Sequence, residues 1–152
     1  MPEIKHVAEG ANYTAIEIGS LDELKDYSFT HPVNKQEVKG KVFIKEATHA
    51  TGTEISFQSL SAHTELSYFH SHKQNEESYV FLRGKGEFQV DDSCFPLKEG
   101  TIVRISPSGV RSLRNTSDEE LVYIVIQSRE GSLEQYSSGD GSRVVHEALW
   151  NK

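Results

Sequence analysis

Cysteine is almost missing from this chain: Cys94 stands alone among 152 residues. One thiol makes no intrachain disulfide and no thiolate-rich metal site, since such sites need several. Within DDSCFPL it reads as a small packing residue. Positive charge is also short, with 16 Lys and Arg against 23 Asp and Glu, a net charge of -7 at pH 7. An acidic surface repels phosphate backbones, so nucleic acid is not an expected partner. Apolar runs are short too. None approaches the roughly 20 residues that cross a bilayer, so no membrane partner is expected. The opening MPEIKHVAEG lacks the basic and apolar blocks of a signal peptide, and a cytoplasmic location is the expectation. Catalytic signatures are equally scarce. There is no G-x-S-x-G turn around a serine, no P-loop and no G-x-G-x-x-G.

What remains is an ordinary globular composition, 36% hydrophobic and 26% charged, at the length of one domain. No linker or repeat divides it. Residues 1–40 read as a lead-in segment, 41–128 as a β-rich body and 129–152 as a polar tail. The lead-in carries one helical signal, SLDELKDY. Ser20 is a good N-cap and Glu23 follows three residues on, a capping box that predicts a helix of about two turns. The tail, SREGSLEQYSSGDGSRVVHEALWNK, is Gly- and Ser-rich. It is expected to pack on the body or on a partner, with Trp150 as the anchor.

The body is a succession of short runs rich in β-branched and aromatic residues: KVFIKEA, TEISFQSL, TELSYFH, ESYVFLR, GEFQV, SCFPL, TIVRIS and ELVYIVIQS. Strands at such spacing imply a sandwich or barrel. In TEISFQSL, Ile55, Phe57 and Ser59 share one face and Glu54, Ser56 and Gln58 the other, the period-two pattern of a half-buried strand. VYIVIQ is apolar on both faces and suits a strand buried on both sides. RGKGE and VDDSC read as turns closing two consecutive hairpins. SPSGVR reads as a bend, with Pro107 fixing one φ and Gly109 free to take φ > 0.

Seven histidines are present, and the tight pair is His70 and His72 in HSHKQNEESYVFLRGKG. On a strand, positions i and i+2 point the same way, so two imidazoles can converge. The loop KQNE then turns the chain and Glu77 can return a carboxylate to the same point. Two histidines and one carboxylate form the facial set of non-haem iron and also suit Mn, Ni or Zn. An isolated His-x-His is more often a hydrogen-bonded or surface pair. The acid just downstream, the glycine after it and the β-rich context favour ligands here. Glu76 is the neighbouring alternative, pointing the other way on a strand. Tyr68 shares the parity of the histidines, and Tyr79 and Phe81 that of Glu77, so these three can line the pocket or simply belong to the core. Arg104 is a candidate anion holder, or a solvent-facing side chain.

His70, His72, Glu77 and Gly84, in that spacing, match the first motif of the cupin superfamily, though Thr64 stands where that motif opens with glycine. Gly100, Pro107, Gly109 and Asn115 match the second in part. Over residues 41–128 the chain resembles a small single-domain cupin. The resemblance implies an all-β fold, a double-stranded β-helix or jelly-roll barrel, and a homodimer. It also implies a fourth metal ligand, a histidine, at the position held here by Arg111. Arginine stays protonated and has no lone pair to offer.

Two arrangements follow. In one, His70, His72 and Glu77 hold a divalent ion and Arg111 grips an anionic substrate beside it. In the other, Arg111 pairs with Glu77 and its charge replaces the metal. The expected function is binding of a small anionic or sugar-like molecule in the barrel, with or without a divalent metal. The alternative is a metal-dependent enzyme, a sugar-phosphate isomerase with Glu77 moving the proton or a non-haem iron dioxygenase.

Overall fold

The structure, a computed structural model, describes residues 2–136 and 139–151. In chain order its strands are β1 (Lys5–Gly10), β2 (Tyr13–Glu17), β3 (Ser28–Thr30), β4 (Glu37–Lys39), β5 (Lys41–Phe43), β6 (Glu54–Leu60), β7 (Asn75–Arg83), β8 (Lys85–Val90), β9 (Ser93–Lys98), β10 (Ile102–Ile105), β11 (Arg111–Asn115) and β12 (Leu121–Arg129). Five of them form one antiparallel sheet in the order β10-β7-β12-β6-β5, and three form a second, β11-β8-β9. The two sheets enclose an aromatic core of Tyr79, Phe81, Phe88, Leu97, Val103, Ile105, Leu113, Leu121, Tyr123 and Val125. Edge-to-face contacts lock it, as between Tyr79 and Phe88 with ring centroids 5.0 Å apart. The all-β jelly-roll barrel expected from the sequence is the fold observed.

The outer face of the larger sheet is also covered. Val42 and Val122 pack outward against Leu24 and Tyr27 of the lead-in, with Phe57 and Leu82 beside them. This reverses the reading of TEISFQSL. Its apolar face turns out onto the lead-in, and Ser56 and Gln58, both buried, turn into the barrel beside Val125 and Tyr123. The strand is covered on both sides, with its polar half inward.

Other local expectations are corrected as well. The lead-in is more than one helix, since it carries the β1–β2 and β3–β4 hairpins. Its helix, Leu21–Asp26, is a 3-10 helix. Ser20 Oγ accepts from the Asp22 N–H at 3.2 Å, and the Glu23 N–H bonds to the Ser20 carbonyl at 3.0 Å, so no capping box forms. KVFIKEA leaves the sheet after Phe43, and Lys45–Thr48 makes one helical turn, α1. RGKGE is not a hairpin: β7 and β8 belong to different sheets, and Gly84, at φ 93°, is the corner between them. VDDSC does close a hairpin, β8–β9, through Asp91 and Asp92. Gly109 needs no positive φ. It is required because a Cβ there would stand 2.6 Å from Ile105 Cγ2.

Cys94 is exposed on β9 rather than packed. In the tail, Trp150 is 87% exposed, and Val144, Val145 and Leu149 are exposed with it. Among the described residues no helix is long and apolar enough to cross a membrane.

Candidate metal and ligand site

TELSYFH does not form a strand. Its chain instead runs along the edge of β11, touching it at intervals. Glu65 bridges Arg114, and His70 bridges Arg111, with the N–H of each residue of the second pair donating to the carbonyl of the other at 3.1 and 3.0 Å. The His72 N–H donates to the Pro107 carbonyl at 2.8 Å. These bonds, rather than the alternation of a regular strand, aim both imidazoles inward. Their ring centroids lie 5.2 Å apart. Glu77 is presented from the other sheet by β7, so the site lies between the two sheets.

One oxygen is the focus. Glu77 Oε1 lies 3.3 Å from His70 Nε2 and 3.3 Å from His72 Nε2. Tyr79 Oη donates to it at 3.2 Å and an Arg111 terminal nitrogen at 2.9 Å. Glu77 and Arg111 are buried, and the histidines above them are only partly so. The guanidinium is further fixed by donation to the Gly109 carbonyl at 2.6 Å.

The electrostatics follow from that packing. Burial alone would raise the Glu77 carboxyl. The hydrogen bond from His70 and the charges of His72, Arg111 and His70 outweigh it and hold the group down at about 2. Burial lowers His72, Glu77 opposes that, and Arg111 and His70 reinforce it. Tyr79 is raised, by burial first and then by the negative charge of Glu77.

The donor set fits a transition-metal ion. His70, His72 and Glu77 offer ligand atoms all within 4.8 Å of one another. Atoms bound about 2.1 Å from one ion stand roughly 3.0–3.5 Å apart, which the two 3.3 Å separations match. His72 Nε2 is also buried with no aligned hydrogen-bond partner, as a lone pair reserved for a ligand would be.

The remaining candidates separate cleanly. Tyr68 stands at the rim, 52% exposed, its ring 5.8 Å from His70. Tyr79 reaches the focal oxygen from below. Phe81 does not line the site: it is 1% exposed and packs against Tyr123 in the core. Arg104 is outside the barrel, bonded to Glu76 at 2.8 Å and Glu130 at 3.0 Å. That pairing also settles Glu76 on the outer face. Arg111 pairs with Glu77 at 2.9 Å, as the second arrangement expects, and is buried at 0% exposure.

Three groups escaped the sequence reading. Tyr123 Oη is buried without a partner. Gln58 and Lys41 are paired across β6 and β5 on the same inner face. The period-two alternation of TEISFQSL holds the signal for Gln58, which lies on the face that pairs with Tyr123.

A two-sheet antiparallel barrel with two histidines and a carboxylate converging on one point defines a β-barrel protein of the jelly-roll class. The cupin domain family matches residues 56–127. A cupin protein of Bacteroides fragilis is 37% identical, covering 69% of this chain and 89% of that one, with a TM-score of 0.67. The chain belongs to the cupin superfamily. More distant solved structures share the fold. One, from Thermotoga maritima and described provisionally as an oxalate decarboxylase, is 22% identical over 68% of this chain and 90% of that one, TM-score 0.55. Another, from Acidithiobacillus ferrooxidans and described provisionally as a sugar phosphate isomerase, is 24% identical over 59% and 58%, TM-score 0.52. Among curated proteins none matches.

Proposed function

We propose that this chain is a small-molecule-binding cupin. Its barrel mouth holds a divalent transition metal through His70, His72 and Glu77 and receives a small anionic or sugar-like ligand. The convergence of both histidines, Tyr79 and Arg111 on Glu77 Oε1 carries this reading. When bound, the ion supplies Lewis acidity toward a ligand oxygen. Zinc, manganese, nickel and iron all suit the donor set. Arg111, already bonded to Glu77, supplies one positive charge there, so metal affinity is lower than a fourth histidine would give.

A metal-dependent enzyme of isomerase or dioxygenase type is the second reading. It is favoured by the missing fourth ligand, which leaves coordination positions free. Glu77 weighs against the isomerase form. A general base works best with a pKa near the working pH, and a carboxyl held at about 2 by the hydrogen bond from His70 and the charges of His72, Arg111 and His70 is a weak one.

Elemental analysis after titration with each of the four metals tests the reading. About one ion per chain in the wild type, lost in His72→Ala, is expected. No retained metal under any titration removes the metal from the proposal. Turnover of a sugar phosphate, or metal-dependent oxygen consumption, would replace the binding module with the enzyme. We also propose that the chain pairs as a homodimer.

A further inference from the structure

The Arg111 guanidinium is committed to Glu77 and the Gly109 carbonyl, and the sheet register points to a second cation on the inner face. Directly paired residues of an antiparallel ladder share a face. Lys41 pairs with Gln58, Gln58 with Tyr123, and Tyr123 with Phe81. Phe81 and Tyr123 belong to the core between the sheets, so Lys41 and Gln58 project into the barrel as well. One rung along, Ser56 does the same beside Val125.

This polar strip is under-satisfied. Lys41 is partly buried, and among the described residues no carboxylate lies within ion-pair distance of its ammonium. The described contact is with the Phe43 ring, 4.8 Å from its centroid. Tyr123 Oη is buried and unpartnered. Gln58 is 6% exposed. Burying such groups without partners is costly, and a bound polar molecule is what normally offsets it. Tyr123 stacks on Tyr79 with ring centroids 6.1 Å apart, and Tyr79 Oη donates to Glu77 Oε1, which places the strip beside the histidine site. Burial lowers the Lys41 ammonium, while Glu77 and then Glu54 act to raise it.

We infer that the inner face of β5, β6 and β12 is the ligand's anion subsite. The Lys41 ammonium grips a carboxylate or phosphate, and Tyr123 Oη and the Gln58 amide bond to a hydroxyl or carbonyl of the same small molecule. This rests on the small-molecule reading above and names the residues that would select for charge.

Calorimetric titration with glucose 6-phosphate and malonate, with glucose as the uncharged control, tests it. The proteins are wild type, Lys41→Met, Lys41→Arg, Tyr123→Phe and His72→Ala, each checked for an unchanged thermal midpoint. At least one anion binds the wild type and glucose does not. Lys41→Met weakens that binding roughly 10- to 100-fold, the worth of a charge-assisted hydrogen bond. Lys41→Arg keeps most of it, and Tyr123→Phe loses less than Lys41→Met. If His72→Ala abolishes anion binding while Lys41→Met leaves it intact, the Lys41 subsite is wrong and the pocket reading stands. If neither anion binds the wild type, both fall.

Discussion

Glu77 carries more of this molecule than any other side chain, because two imidazoles, a guanidinium and a phenol meet on one of its oxygens. Its carboxyl sits at about 2 in the folded chain against an ordinary 4.5. The folded state therefore binds fewer protons than the unfolded one, and Glu77 contributes stability that is complete above pH 4.5 and lost as pH falls toward 2. His72, also lowered, adds a loss that begins as pH falls through its unfolded value of 6.5. Metal-stripped protein should lose stability progressively on acidification, and Glu77→Gln should flatten the segment between pH 4.5 and 2. Denaturant midpoints measured against pH check this. Arg111 gives a second prediction. Arg111→Ala leaves Glu77 buried without its permanent cation and should cost about 3–5 kcal/mol by urea unfolding. Arg111→His restores a nitrogen lone pair at the same position and should tighten zinc binding by roughly tenfold or more in a chelator competition.

At the scale of elements, the strands with apolar alternation or β-branched runs were legible in the sequence. VYIVIQ became the central strand it promised to be. β11 was not legible, because RSLRN is mostly polar, yet Arg111, Ser112 and Asn115 are buried there. A strand whose polar residues serve a site defeats hydrophobic periodicity. Segment 64–72 failed differently. His70, His72 and Glu77 were correctly grouped, but the backbone holding the histidines is bridged at points rather than regularly paired, which composition does not reveal. The Gly84 corner was mistaken for a hairpin because local turn chemistry cannot say which sheet the next strand joins. Its geometry is demanding, since a Cβ would meet the Glu120 carbonyl oxygen at 2.6 Å and the backbone is left-handed. Gly84→Ala should cost about 2–4 kcal/mol, read as a lower thermal midpoint with metal ligands untouched.

At the scale of the whole chain, the tail is the least committed part. Trp150, Leu149, Val144 and Val145 are exposed within one chain, an arrangement suited to the proposed homodimer. Light scattering should return twice the 17.1 kDa chain mass, and truncation after residue 139 should shift the balance toward monomer. The barrel itself has a consequence for its own synthesis. β12 lies between β7 and β6, with Gln127 opposite both Glu77 and Glu54. The strand made last is thus the one that joins two made long before. Such non-local pairing slows folding into the millisecond-to-second range. Until the ribosome releases that strand, β6 and β7 each offer a bare edge, so a nascent or prematurely terminated chain is the form most exposed to aggregation.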